Sequence, residues 1–234
     1  MKNAEHREMK KHVFIVNAHP DDLIGSAGMA FILSEHPDFE LHIVDMTRGE
    51  RGLVRHGVAL DECAATRTRE EIAACAMLGV EPIFLTEIDG EACASRETCE
   101  KLAELFRRFP PCAVFTHWPV DRHADHVICG AATLNALRFA KLKPEIYFHN
   151  HEHQVLSMPF MRFVGFGQRI MDLKTELCRK YVCQHGDVLA ERKIAAARFH
   201  GWNNGVPFAE GFGSARLPLS GGHSIFDELP PVTE

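Results

Sequence analysis

The sequence predicts a Rossmann-like α/β domain, a mostly parallel sheet with helices on both faces. Three observations carry this reading. Short runs rich in β-branched and aromatic residues recur, such as Val13-Phe14-Ile15-Val16 and Cys112-Ala113-Val114-Phe115-Thr116, and they read as buried strands. Stretches with helical spacing separate them, and strand–helix alternation marks a parallel sheet covered on both sides. Histidines and carboxylates then cluster just after two of these runs, at the strand ends where open α/β sheets gather their ligands.

In chain order, the first strand stops at Asn17-Ala18-His19-Pro20, because Pro20 offers no N–H to a ladder and biases His19 towards extended backbone. Gly25, Ser26 and Gly28 lead into a helix beginning Met29-Ala30-Phe31-Ile32-Leu33. Residues 41–46 read as a second strand, followed by the turn-rich Thr47-Arg48-Gly49-Glu50-Arg51-Gly52 and by loop over 53–64. A helix is expected over 66–78, with Gly79 as its stop. A third strand (81–85), a helix (99–109) closed by Pro110-Pro111, a fourth strand (112–116), a helix (127–141) and a strand (145–149) follow. Beyond 150 the pattern weakens to an aromatic, Gly-containing stretch, helices near 173–182 and 188–198, and a Gly/Pro-rich tail. No repeat or linker interrupts the chain, so residues 1–234 are read as a single domain with a C-terminal elaboration after about 150.

The composition narrows the class. At 234 residues, 46% hydrophobic and 25% charged, the chain is an ordinary globular protein able to bury a full core. A net charge of −6 argues against a nucleic-acid surface. The polar start and its four-residue apolar run give no signal peptide or membrane span, so a cytoplasmic protein without membrane insertion is expected. Eight cysteines without a C-x-x-C pair read as reduced, mostly buried thiols.

The two histidine-bearing turns carry the chemistry. His19 and Asp22 from the first, with His126 from the second, make a candidate three-ligand metal site. Three ligands and one open position are what a catalytic zinc needs. Asp21 is then free to take a proton from water. His123, one helical turn before His126, can face the same cavity, and Asp125 can orient a histidine. Each motif alone also reads as a polar turn or an exposed helix start. The alternating His149-Asn150-His151-Glu152-His153 reads as a polar pocket rim.

Ala18-His19-Pro20-Asp21-Asp22 resembles the AHPDD signature of the LmbE/PIG-L deacetylase family, and His123-Ala124-Asp125-His126 resembles its H-x-D-H motif. Thr47 to Gly52 resembles the family's T-x-G-E-x-G loop, and Arg67-Thr68-Arg69-Glu70 with Ala73-Ala74 and Leu78-Gly79 its R-x-x-E helix. Residues 172–185 with Lys180, and 205–212 with Ala209-Glu210-Gly211-Phe212, resemble its C-terminal blocks, so the likeness spans roughly 12–212. The resemblance implies an LmbE-like three-layer sandwich and a zinc-dependent hydrolase that removes an acetyl group from N-acetylglucosamine-type sugars. It implies Zn2+ on His19, Asp22 and His126, with Fe2+ or another divalent transition ion able to use the same ligands. It further implies Asp21 as general base, and His123 as oxyanion stabiliser or acid towards the leaving amine. Asp125 would hold a histidine, and Glu50 and Arg67 would contact the sugar. The partner is then a small amino-sugar, with homo-oligomers known in the family. In one departure, Leu23-Ile24 makes the segment after the second Asp one residue shorter and without the family's glutamate. This touches the shape of the pocket floor rather than the reaction. It also keeps open a catalytically degenerate sugar-binding relative, while an amidase for another amide of a sugar conjugate would share every residue named above.

Overall fold

Residues 10–149, 151, 158–215 and 223–232 are described by the computed structural model. Seven strands form one sheet: β1 (Lys11–Asn17), β2 (Phe39–Asp45), β3 (Ile83–Phe84), β4 (Pro111–His117), β5 (Glu145–His149), β6 (Arg162–Phe166) and β7 (Phe208–Ser214). Their order is β3-β2-β1-β4-β5-β7-β6. The first five pair in parallel, and β7 pairs antiparallel with both β5 and β6.

Burial on both faces explains the unbroken apolar runs. Along β1, Val13 and Ile15 join one core, and Phe14 and Val16 join the other. The first core is completed by α1 (Ala27–Glu35), α2 (Leu60–Ala76), α5 (Gln168–Lys180) and α6 (Gly186–Asn204). The second is completed by α3 (Arg96–Arg108) and α4 (Ala124–Ala140). The expected three layers are therefore present, and no helix among the described residues is long and apolar enough to cross a membrane.

Some expected boundaries are corrected. Helix α2 starts at Leu60 rather than near 66, with Asp61 and Glu62 in its first turn placed favourably against the helix dipole. Helices α3 and α4 start three residues earlier than expected; Ser95 caps α3 by accepting the Thr98 N–H. In the C-terminal third, β6 and β7 occupy stretches where no strand was expected.

Glu210 on β7 explains why the C-terminal elaboration matters to the first turn. Its carboxylate accepts the Gly28 and Met29 backbone N–H groups at 2.7 and 2.9 Å, so it satisfies the N-terminus of α1. The buried ammonium of Lys174 on α5 pairs with it. The lysine of this block that reaches the interior is thus Lys174, whereas Lys180 pairs with Glu176 on the surface of α5. Lys174→Met removes the buried ammonium and leaves the Glu210 carboxylate with the two α1 backbone N–H groups. The denaturation midpoint is expected to fall by the equivalent of about 3–5 kcal/mol, and an unchanged midpoint would remove this pair from the stabilising set.

Candidate metal centre

The strand order reverses direction between β1 and β4, since the chain leaves β1 towards β2 and later returns to the other side. That is the switch point where the loops after neighbouring strands part and leave a crevice. The β1 loop delivers His19, Asp21 and Asp22, and the β4 loop delivers His123, Asp125 and His126 at the start of α4. Gly130 lets α4 lie this close to β4, because a Cβ there would stand 2.6 Å from the His117 carbonyl oxygen.

Asp22 is the centre of the cluster. Its Oδ2 accepts the His19 N–H at 2.8 Å and lies 3.4 Å from His19 Nδ1. Its Oδ1 lies 3.2 Å from His126 Nε2. The other nitrogen of each ring is backed by a carboxylate. His19 Nε2 faces Asp125 Oδ2 at 3.0 Å and Asp89 Oδ1 at 3.3 Å, and His126 Nδ1 faces Asp121 Oδ2 at 3.0 Å. His123 stacks on His126 and meets the edge of His19, both at 4.7 Å between centroids. All these side chains except Asp121 and Asp125 line an open cavity of about 510 Å³.

Asp21 sits above them in a left-handed backbone conformation, φ 95°. A non-glycine residue there carries strain of about 1–3 kcal/mol. Arg67 holds the turn in place: its guanidinium bonds Pro20 O and the Asp21 carboxylate, while the Asp21 N–H donates to Glu71 Oε2 at 3.3 Å. Gly49 (φ +66°) makes room for this arginine, since a Cβ there would run into the guanidinium. The Gly-containing loop after β2 and the arginine of α2 are thus one device.

The electrostatics follow from burial and proximity. Burial alone would raise Asp22, but His126 and His117 hold it well below the usual carboxylate range. Burial would lower His126, yet Asp22 and Asp121 lift it to about 9. Asp21 is raised to about 6 by burial, with Arg67 opposing. Burial and the neighbouring His19 and His126 push His123 down.

This donor set fits a divalent transition ion. Zinc bonds of 2.0–2.2 Å place tetrahedral ligand atoms about 3.3 Å apart. His19 Nδ1 and His126 Nε2 stand at 3.4 and 3.2 Å from the two different oxygens of Asp22. Ligand atoms of His19, His123 and His126, like those of Asp22, His117 and His126, lie within 4.8 Å of one another. Rings that turn one nitrogen to the centre and the other to a carboxylate have the arrangement typical of ligating histidines.

The structure brings His19, Asp21, Asp22, His123, Asp125 and His126 together. Glu50 instead accepts the Asp89 N–H at 3.0 Å and the Arg48 N–H at 3.3 Å, and Arg67 faces the cavity with its guanidinium turned to Asp21. Three participants were missed. Asp121 stands two residues before the second motif, in the same loop after β4, and Asp89 follows β3 in an Asp-Gly turn, so both lie in loops past strand ends. His117, the last residue of β4, places Nε2 3.1 Å from Asp22 Oδ2. The expected histidine rim is found for His151, which lines the cavity, and not for His149. His149 and His151 are buried, 0% and 4% exposed, beside His117. Glu152 and His153 lie outside the described residues.

The family model described as PIG-L, GlcNAc-PI de-N-acetylase, matches residues 14–137. A 4-oxalmesaconate hydratase of Pseudomonas putida is 32% identical over 113 residues, which make up 46% of this chain and 44% of that protein; the matched stretch is under half of the relative's length. The structure of N,N'-diacetylchitobiose deacetylase from Pyrococcus horikoshii superposes with a TM-score of 0.75 at 27% identity, covering 87% of this chain and 83% of that one. A conserved protein from Thermus thermophilus gives 0.70 at 26% identity, covering 91% and 99%.

Proposed function

The chain belongs to the PIG-L family, and from that premise we propose that it is a metal-dependent hydrolase removing the N-acetyl group of an N-acetylglucosamine-type sugar. The observation that carries this reading is the position of Asp21. It is a strained carboxylate fixed by Arg67 at the mouth of a histidine–carboxylate cluster, where a base for an attacking water has to stand. The similarity to a diacetylchitobiose deacetylase supports the choice of an acetamido sugar.

His19, Asp22 and His126 would hold the ion, with Asp125, Asp89 and Asp121 fixing the two rings. A bound divalent ion supplies Lewis acidity and lowers the pKa of its water towards ~7. Asp21 takes the proton as the water oxygen attacks the acetamide carbon. His123 donates an N–H towards the developing oxyanion, a contact typically worth about 3–4 kcal/mol. As the C–N bond breaks, the proton held at Asp21 passes by way of His123 to the sugar nitrogen, leaving acetate and a free amine. Arg67 orients Asp21 and keeps the turn closed. Glu50 acts at one remove, through the loop carrying Asp89.

A second reading, hydration of an unsaturated carboxylate, is favoured by the 32% identical hydratase and by Arg51 and Arg55 on the cavity wall, which would attract an anionic substrate. Both reactions add water to an electrophilic carbon, so the same base serves either. Metal-stripped and zinc-restored protein should be assayed in parallel for acetate release from N-acetylglucosamine derivatives and for loss of ultraviolet absorbance from conjugated polycarboxylates. Acetate release that returns with zinc is expected. Absorbance loss without acetate release from any sugar would overturn the deacetylase in favour of the hydratase.

A further inference from the structure

We propose that His117, His149 and His151 hold a second divalent transition-metal ion, deeper than the first, with Asp22 lying against both sites. The sheet assembles these residues. His117 and His149 end the parallel neighbours β4 and β5 and stand directly opposite each other in register. His151 is two residues further on, and its ring lies beside those of His117 and His149. The ring centroids are 4.5, 5.4 and 5.5 Å apart for the pairs 117–149, 117–151 and 149–151. One nitrogen from each ring lies within 4.8 Å of the other two.

The second, independent observation is that two of the three rings carry nitrogens without partners, whereas His117 Nε2 accepts the Ala18 N–H at 3.1 Å and faces Asp22 Oδ2. Both ring nitrogens of His149 and Nε2 of His151 are buried with no hydrogen bond. Buried polar atoms are satisfied in the great majority of cases, and those that are not point to a water or an ion between them. Converging imidazoles with open nitrogens offer the donor chemistry of a zinc-, cobalt- or nickel-type ion. Nitrogens within 4.8 Å of one another would draw in towards about 3.3 Å to share one tetrahedral ion.

Asp22 ties the two sites together. Its Oδ2 is 3.1 Å from His117 Nε2 as well as facing His19, and its Oδ1 is 3.7 Å from His151 Nε2 as well as facing His126. Each oxygen therefore meets one histidine of either set. The total of two ions rests on the His19–Asp22–His126 reading, whereas the deeper site stands on its own three ligands.

The test is the metal content of the full chain, stripped, reloaded with excess Co2+, desalted and measured by mass spectrometry. Cobalt absorption bands provide a second readout. Two ions per chain are expected for the natural sequence, and one for either His149→Asn or His151→Asn. His19→Ala should also drop to one, and His19→Ala combined with His149→Asn should bind none. His151→Asn carries the test if the more deeply buried His149→Asn fails to give a cooperative melt. A single ion per chain that persists in both asparagine variants, with unchanged cobalt bands, would overturn the proposal and leave the trio to water. A single ion lost in the asparagine variants but kept in His19→Ala would uphold the deeper site and sink the shallower one.

Discussion

Asp21→Asn is expected to lower kcat by ~10²-fold or more while leaving the fold and the metal content unchanged. The substitution is close to isosteric. Asparagine is among the few residues that tolerate the left-handed backbone, so the φ of 95° at this position is not a reason for the variant to misfold. Its amide oxygen can still accept from Arg67, which preserves the turn that points His19 and Asp22 inward. The change removes the basicity needed to accept a proton from water. Acetate release measured beside metal content separates the outcomes. A slow enzyme with full metal supports the base role, whereas natural rates would exclude Asp21 from it. A slow enzyme that had also lost metal would make the residue a support for the cluster.

Much of this fold was legible because the central strands have an environment the sequence can express. Strand β1 is covered on both sides, so its four consecutive apolar residues divide between two cores, and no alternation with polar residues is needed. Strands β6 and β7 gave no such signal. Their sequences, Arg162-Phe163-Val164-Gly165-Phe166 and Phe208-Ala209-Glu210-Gly211-Phe212-Gly213-Ser214, are interrupted by glycines, which strands usually avoid. Glu210 is buried because it caps α1 and meets Lys174, contacts that no local pattern announces. The first turn of α2 reads as loop because only Cys63 in it is buried and Leu60, Asp61 and Glu62 are exposed, which leaves no apolar period.

The same division runs through the site. His19, Asp21, Asp22, His123, Asp125 and His126 were legible as two local motifs, each directly after a strand and so both at the switch point. Arg67 could be seen as a helical arginine, but what it faces depends on a turn 46 residues earlier. The histidines near 150 are the clearest case. Their alternation showed that His149 and His151 share a face, but spacing cannot say whether that face meets solvent or core. Strand β7 decides it by pairing with β5, so β5 is an interior strand. A strand with too little sequence signal to be recognised thus placed His149 in the interior, while His151 keeps to the cavity wall.

His126→Ala is expected to abolish activity by removing the metal, and Asp121→Asn to weaken metal binding by ~10–100-fold with the ligand still present. The two changes act on opposite nitrogens of one ring, Nε2 towards Asp22 and Nδ1 towards Asp121. Their contrast tests the direction of the site as well as its membership. If Nε2 ligates, Asp121 works only by fixing the ring and strengthening its basicity, and raising the zinc concentration should restore the Asp121→Asn rate. It should not restore His126→Ala, in which one of the three protein ligands is gone. Titration of stripped protein with zinc, followed by acetate release at each point, measures both. Full metal occupancy in His126→Ala would sink the His19–Asp22–His126 assignment. An Asp121→Asn enzyme that stays slow at saturating zinc would give Asp121 a part in the chemistry itself.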